Sequence, residues 1–173
     1  VVHIAASGLG LRSCLLRVLE QYRSEYPNVR ICLINNFTQQ GLAAVQNGLA
    51  DFALVPDVAD APDSLIRKQV GQVREIPICG SAFSELTKGN VTLAQLADLP
   101  LISLSEGTST YNFYADLFLH HGLPYSPDVE VATIDQVLPV VRCNLGIGFV
   151  PHEMLVGLSE QTGIYPLTLE EPI

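Results

Sequence analysis

The chain has 173 residues, 48% of them hydrophobic and 16% charged, and its nine Lys+Arg against eighteen Asp+Glu give a net charge of −9. That length suits one large domain or two small lobes with a sizeable core. The acidic balance argues against direct contact with a phosphate backbone. No apolar run reaches the roughly eighteen residues of a membrane span, and no signal peptide is visible at the start of the chain.

In chain order, "VVHIAAS" reads as a short buried strand ending at Ser7-Gly8. Leu11, Leu15, Val18, Leu19, Tyr22 and Tyr26 then recur at three- and four-residue steps, the stripe of an amphipathic helix that Pro27-Asn28 stops. "VRICLIN" is a second strand. Thr38 stands as the N-cap of a helix with Leu42, Val45 and Leu49 on one face, closed by Asn47-Gly48. "DFALVPD" is a third strand, so residues 1–57 alternate β-α-β-α-β, the pattern of a parallel sheet with right-handed crossovers.

A polar break over 58–64 follows, then an extended "VREIPICGS" in which Pro77 suits a sheet edge or a crossing segment. Thr92 and Gln95 form a capping box. "PLISLS" is a strand. Tyr111, Tyr114, Leu117 and Phe118 stripe the next helix, which ends at Gly122. "DVEVAT" is a strand, and a helix over about 135–143 follows it. "GIYPLTLEEP" closes the chain as a strand. A second β/α unit therefore covers roughly 80–157.

"CNLGIGFVP", residues 143–151, has the look of a phosphate loop. A dinucleotide fingerprint needs strand, G-x-G-x-x-G, then helix. Here a helix precedes the glycines and a strand follows them, and the third glycine is missing. The structural reading is a helix stopped at Asn144, glycines 146 and 148 for close backbone approach, and a strand ended by Pro151.

The sequence offers little for catalysis. His3, His120, His121 and His152 have no metal-ligand spacing among themselves or with cysteine. G-x-S-x-G is absent. Cys14, Cys32, Cys79 and Cys143 read as reduced core thiols in apolar company, with a Cys79–Cys143 redox pair left as the alternative. Glu170-Glu171 reads as a solvated pair. No cofactor and no metal are expected.

Small polar residues do gather at strand-to-helix turns: Ser7-Gly8, Asn36 with Thr38, Gly107-Thr108-Ser109-Thr110, and Thr133. Ligands of parallel α/β sheets sit beyond the carboxyl ends of the strands, where helix N-termini offer free N–H groups. Hydroxyls there suit a small anion, often a carboxylate. Each residue alone could equally be a plain N-cap. Arg12 and Arg142 are the basic residues near these turns.

An ordered set of motifs runs through the chain: "AAS", "LLRVLEQYRSEYPNVRICL", a Thr38-to-Asp51 spacing into "NGLADFALV", "VTLAQLADLPLIS", "FLHHGL" and "VLPVVRCNLGIGFVP". In order and spacing it resembles the effector-binding domain of LysR-type transcriptional regulators, over nearly all of the chain. The family commonly has glycine where Asn144 stands, and asparagine is the next best residue for a positive φ.

The resemblance implies an α/β fold of two Rossmann-like lobes joined by two crossing hinge strands, like type 2 periplasmic binding proteins. Lobe I would span 1–75, lobe II 76–160, with hinges near 71–80 and 161–168. The chain would return to lobe I over about 161–173, leaving that lobe incomplete at Ile173. A small-molecule effector would lie between the lobes against Ser7, Gly8, Thr38, Ser105, Thr108, Thr110 and Thr133. DNA would be bound only by an N-terminal winged helix-turn-helix that this chain lacks. The further expectations are a cytoplasmic, non-enzymatic homodimer, with a homotetramer open to the full-length protein, and no membrane partner. The alternative is a periplasmic or extracellular type 2 solute-binding protein.

Overall fold

The computed structural model describes residues 1–56, 61–158 and 162–173. The chain divides into two units, Val1–Gln72 and Val73–Ile173.

In the first unit, β1 (Val2–Ala6), β2 (Ile31–Asn35) and β3 (Phe52–Leu54) form a parallel sheet in the order β2-β1-β3. This matches the alternating pattern of residues 1–57. Between β1 and β2 runs a helix over residues 8–25, here α1, in three parts: Gly8–Gly10, a π-helical turn at Leu11–Leu15, and Leu16–Glu25. Helix α2 (Thr38–Gln46) links β2 to β3. Side chains alternate across a strand, so β1 is buried on both faces. Ile4 and Ala6 pack with Leu15 of α1, while Ala5 packs with Ala44 of α2.

Three expectations change here. Thr38 is the first helical residue of α2 and Phe37 is the N-cap; Phe37 donates its backbone N–H to Gln40 Oε1 at 3.4 Å. Leu49 is not on a helical face, because the helix ends at Gln46, and it is 66% exposed. The break over 58–64 falls partly outside the described residues; beyond them, Leu65 N–H reaches Pro62 O in a turn.

The second unit opens with β4 (Glu75–Cys79), followed by a 3-10 helix (Ser81–Lys88). Next come β5 (Asn90–Val91), α3 (Leu93–Ala97), β6 (Ile102–Leu104) and α4 (Ser109–His120). After β7 (Val129–Val131), a short 3-10 turn (Ile134–Gln136) leads into α5 (Val137–Arg142) and β8 (Gly148–Pro151). The closing stretch is two short strands, β9 (Tyr165–Pro166) and β10 (Thr168–Leu169), with Leu167 between them donating to Pro77 O.

Strand β4 pairs antiparallel with β8 on one side and β9 on the other, while β6 and β7 run parallel. Leu101 bridges to Ile147 beside β8. Alternation again sorts the core into two faces. Cys79, Leu101 and Phe149 join Tyr114 and Phe118 of α4, whereas Ile78, Ile102 and Val150 join Val137 and Val141 of α5.

Pro77 therefore lies on a central strand, not an edge. In an extended strand a residue's N and O point to the same side. Its carbonyl accepts from Leu167, so its missing donor faces the short β9 side and leaves the β8 ladder intact.

The glycine stretch has the architecture expected of it. Asn144 sits at φ 60° and stops α5. Its side chain also accepts the Ala82 N–H at 2.8 Å, which ties the helix end to the segment after β4. A Cβ on Gly148 would lie 2.6 Å from Val137 Cγ1 and 2.9 Å from Val141 Cγ2.

The cysteines and the terminal carboxylates differ from expectation. All four thiols are free, but only Cys79 is buried; Cys14 and Cys32 are partly exposed and Cys143 is exposed. Burial pushes the Cys79 thiol up to about 11, which leaves it a poor nucleophile. Glu171 is not simply solvated: both its oxygens accept from Leu93 N–H at the start of α3, at 3.2 and 3.1 Å. A carboxylate at a helix N-terminus is favourably placed.

Candidate functional site

The first unit brings Ser7, Gly8 and Thr38 to the carboxyl ends of neighbouring parallel strands, since Ala6 of β1 is level with Asn35 of β2. Ser7 is the N-cap of α1, and its Oγ accepts from Gly10 N–H at 3.0 Å. Gly8 is the first helical residue. Gly10 lets α1 sit on β3, because a Cβ there would lie 2.7 Å from Leu54 O. Thr38 is 7% exposed. Beside them, Asn36 Oδ1 is buried without a hydrogen-bond partner. A buried acceptor left unpaired costs free energy, which marks Asn36 as a group ready for a donor.

The second unit gathers Ser105, Thr108, Thr110 and Thr133 in the same way. Leu104 of β6 is level with Val131 of β7, so both turns leave one end of the sheet. Ser105 to Thr108 is a tight turn in which Thr108 N–H and Oγ1 both donate to Ser105 O, at 3.2 and 2.8 Å. Gly107 stands third in it with φ +86°, the conformation a type II turn requires. Thr108 caps α4 by accepting from Tyr111 N–H at 3.1 Å. Thr133 caps the 3-10 turn and is exposed, and its N–H donates to Gln136 Oε1 at 3.2 Å.

Thr110 points inward to a cavity that it shares with Ser103, Tyr114, Tyr125 and Phe149, among others. The cavity is small, with room for about one water molecule. Tyr125 OH donates to the buried Ser103 Oγ at 2.8 Å. Its ring packs on Tyr111 and Phe118 at 5.3 and 5.1 Å, and burial pushes its hydroxyl up to about 12. The hydroxyl therefore stays a neutral donor. Sequence reasoning missed Ser103 and Tyr125. Ser103 was legible only as a strand residue, and nothing local to "LPYSPD" signals that Tyr125 folds back onto α4.

Thr108 and Thr110 make separable predictions. Thr108→Ala removes an N-cap and is expected to cost about 1 kcal/mol of stability in urea unfolding. Thr110→Ala, inside the first turn, should change stability by less than about 0.5 kcal/mol if the residue serves a ligand and not the fold.

Arg142 does not point freely toward these turns, since its Nε donates to Thr162 O at 2.7 Å. Among the described residues, no three His, Cys, Asp or Glu side chains gather as a metal site, and no helix is long and apolar enough to cross a membrane.

Hydroxyl-bearing turns at the carboxyl ends of parallel strands recur in both α/β units. The model of the LysR substrate binding domain matches residues 1–173, and the chain belongs to that family. Its fold is the α/β fold of these domains, like that of type 2 periplasmic binding proteins.

The regulatory domain of CcmR from Synechocystis PCC6803, solved in complex with 2-PG, matches with a TM-score of 0.86 at 18% identity, over 99% of this chain and 81% of that one. The BenM effector binding domain with benzoate matches with a TM-score of 0.82 at 21% identity, over 99% and 78%. The HTH-type transcriptional regulator YeiE of Escherichia coli is 25% identical over 154 residues, covering 89% of this chain and 52% of that protein. The chain thus spans about half the length of that regulator.

Proposed function

We propose that the chain is the ligand-sensing module of a bacterial LysR-type transcription factor, and that its ligand is a small carboxylate or similar metabolite. The lobes would be residues 1–75 and 76–160, hinged near 71–80 and 161–168, and the ligand-contacting residues would be Ser7, Gly8 and Thr38 in the first lobe and Ser105, Thr108, Thr110 and Thr133 in the second. The observation that carries this reading is the pairing of hydroxyl groups with helix N-termini at the ends of adjacent parallel strands in both units. Such ends favour negative charge. The benzoate carried by the BenM domain is a carboxylate, which supports that ligand class.

Ligand binding would act through a difference in affinity between two states of the protein. DNA contact would belong to an N-terminal winged helix-turn-helix outside these residues, in a cytoplasmic regulator with no enzymatic activity of its own. Exposed Leu16, Val18 and Leu33 on α1 and β2 support a homodimer formed through the first unit.

Calorimetric titration of the domain with a panel of small carboxylates tests the reading. Saturable binding that Thr110→Ala or Ser7→Ala weakens by at least about tenfold, about 1.4 kcal/mol, is expected. A panel without any saturable member counts against it. The full reading frame distinguishes the solute-binding alternative: a helix-turn-helix segment supports the regulator, a secretion signal the alternative.

A further inference from the structure

The cavity of the second unit lies where a strand pairing stops. Leu101 bridges to Ile147, with Ile147 N–H donating to Pro100 O at 2.8 Å and Ile102 N–H to Ile147 O at 2.9 Å. Among the described residues β6 and β8 pair no further, and Ile102, Ser103, Leu104 and Phe149 beyond that bridge line the cavity. Phe149 brings backbone groups to it. Pro77 and Pro151 lack an N–H, so the doubly bonded pairs between β4 and β8 are Ile76 with Val150 and Ile78 with Gly148. The N–H and O of Phe149 therefore face away from β4, on the β6 side. Thr110 joins the cavity to the first turn of α4, where negative charge is favoured.

A hydroxyl carries one donor hydrogen and two acceptor lone pairs. Two of the hydroxyl hydrogens around this cavity are already used. Tyr114 OH donates to Glu75 Oε2 at 2.6 Å, and Tyr125 OH donates to Ser103 Oγ at 2.8 Å. Ser103 is 5% exposed, and among the described residues its side chain makes no second hydrogen bond. Its own O–H is thus a buried donor without an acceptor, which costs free energy. The cavity beside it holds about one oxygen-sized group.

We propose that this cavity is a subsite for one hydroxyl group of the ligand, read by Ser103, so that the ligand is a small hydroxy acid and not a plain carboxylate. The inference rests on the carboxylate reading above and narrows it. The ligand's oxygen would accept from Ser103 Oγ, and its hydrogen would go to an acceptor lining the cavity, Phe149 O or Thr110 Oγ1. A hydroxyl meets both demands, whereas a methyl of similar size meets neither and leaves the Ser103 donor buried and unpaired. Tyr125 acts as the positioning residue. Burial pushes its hydroxyl up to about 12, so at neutral pH it stays protonated and keeps hold of Ser103 Oγ.

Calorimetric titration with matched monocarboxylic acids, aliphatic and aromatic, each carrying hydrogen, methyl or hydroxyl at the same carbon, tests the subsite. A hydroxy acid is expected to bind about tenfold more tightly than its methyl and hydrogen counterparts. In Ser103→Ala, which removes the donor and adds no bulk, that ratio should fall to about one. Tyr125→Phe keeps the ring packing but releases Ser103 Oγ, and the ratio should fall there too, so either folded variant decides. Equal affinity for hydroxy and methyl acids in the native chain overturns the subsite and leaves the carboxylate reading standing. A hydroxyl preference that survives undiminished in Ser103→Ala also overturns it. If no acid of any kind binds, the subsite and the carboxylate reading fail together.

Discussion

Gly146→Ala is expected to destabilise the second unit by about 3 kcal/mol, the upper end of what forced overpacking costs. A Cβ at this position would lie 2.5 Å from Pro100 O and 2.9 Å from Pro100 C, both backbone atoms that cannot rotate away. The same oxygen accepts the Ile147 N–H at 2.8 Å, and Ile147 O in turn accepts from Ile102 N–H at 2.9 Å. The added methyl would therefore press on the hydrogen bonds that join the chain before β6 to the chain before β8. The glycine's φ of +157° is also a conformation that L side chains rarely adopt. Urea unfolding measures the effect. Leu145→Ala is the control: Leu145 is 50% exposed, and its loss should move stability by less than about 0.5 kcal/mol. Equal midpoints for Gly146→Ala and the native chain would contradict the close approach.

Phe118→Ala is expected to cost about 3–5 kcal/mol, the range for emptying a large buried aromatic site. Phe118 is fully buried, lies in the cluster formed with Leu93, Leu96, Leu101 and Ile147, and packs on Tyr125 at 5.1 Å. It also anchors α4, whose N-cap is Thr108 and whose first turn carries Thr110. Unfolding of the second unit should therefore bring loss of ligand binding at the same temperature. Phe118→Leu, which keeps much of the volume, should lose far less. Near-native stability for Phe118→Ala would mean that α4 is held mainly by other contacts.

Much of the fold was legible because its signals are local. The stripe Tyr114–Phe118 gave α4 its buried face, Thr92 with Gln95 gave the cap of α3, and Asn144 gave the end of α5. The turns with Ser7 and Thr108 were likewise visible as hydroxyl residues ahead of helical stripes, and both prove to be N-caps. Thr38 was displaced by one residue because Phe37 takes the extended backbone of the cap, a choice that propensity alone does not make. Of the two places the sequence left open for Pro77, a sheet edge or a crossing segment, the edge fails for a different reason. Whether a proline lies at an edge depends on which strands come to lie beside it, and β8 and β9 are far away in sequence.

The sequence by itself determined the alternating order of β1 to β3 and their parallel sheet, the order α3, β6, α4, β7, α5, β8, the architectural role of the 143–151 stretch and the turns where polar groups collect, but not the 3-10 helix Ser81–Lys88 or β5. Periodicity, caps and glycines act over a few residues, so they can be read without a fold. The tertiary structure decided what lies across long sequence separations. It set Tyr125 on Ser103, Glu171 on the start of α3, Asn144 against Ala82, and Tyr114 with Glu153 around Glu75. None of these has a local signature, because each depends on two distant segments being brought within hydrogen-bonding or electrostatic reach by the burial of apolar faces elsewhere.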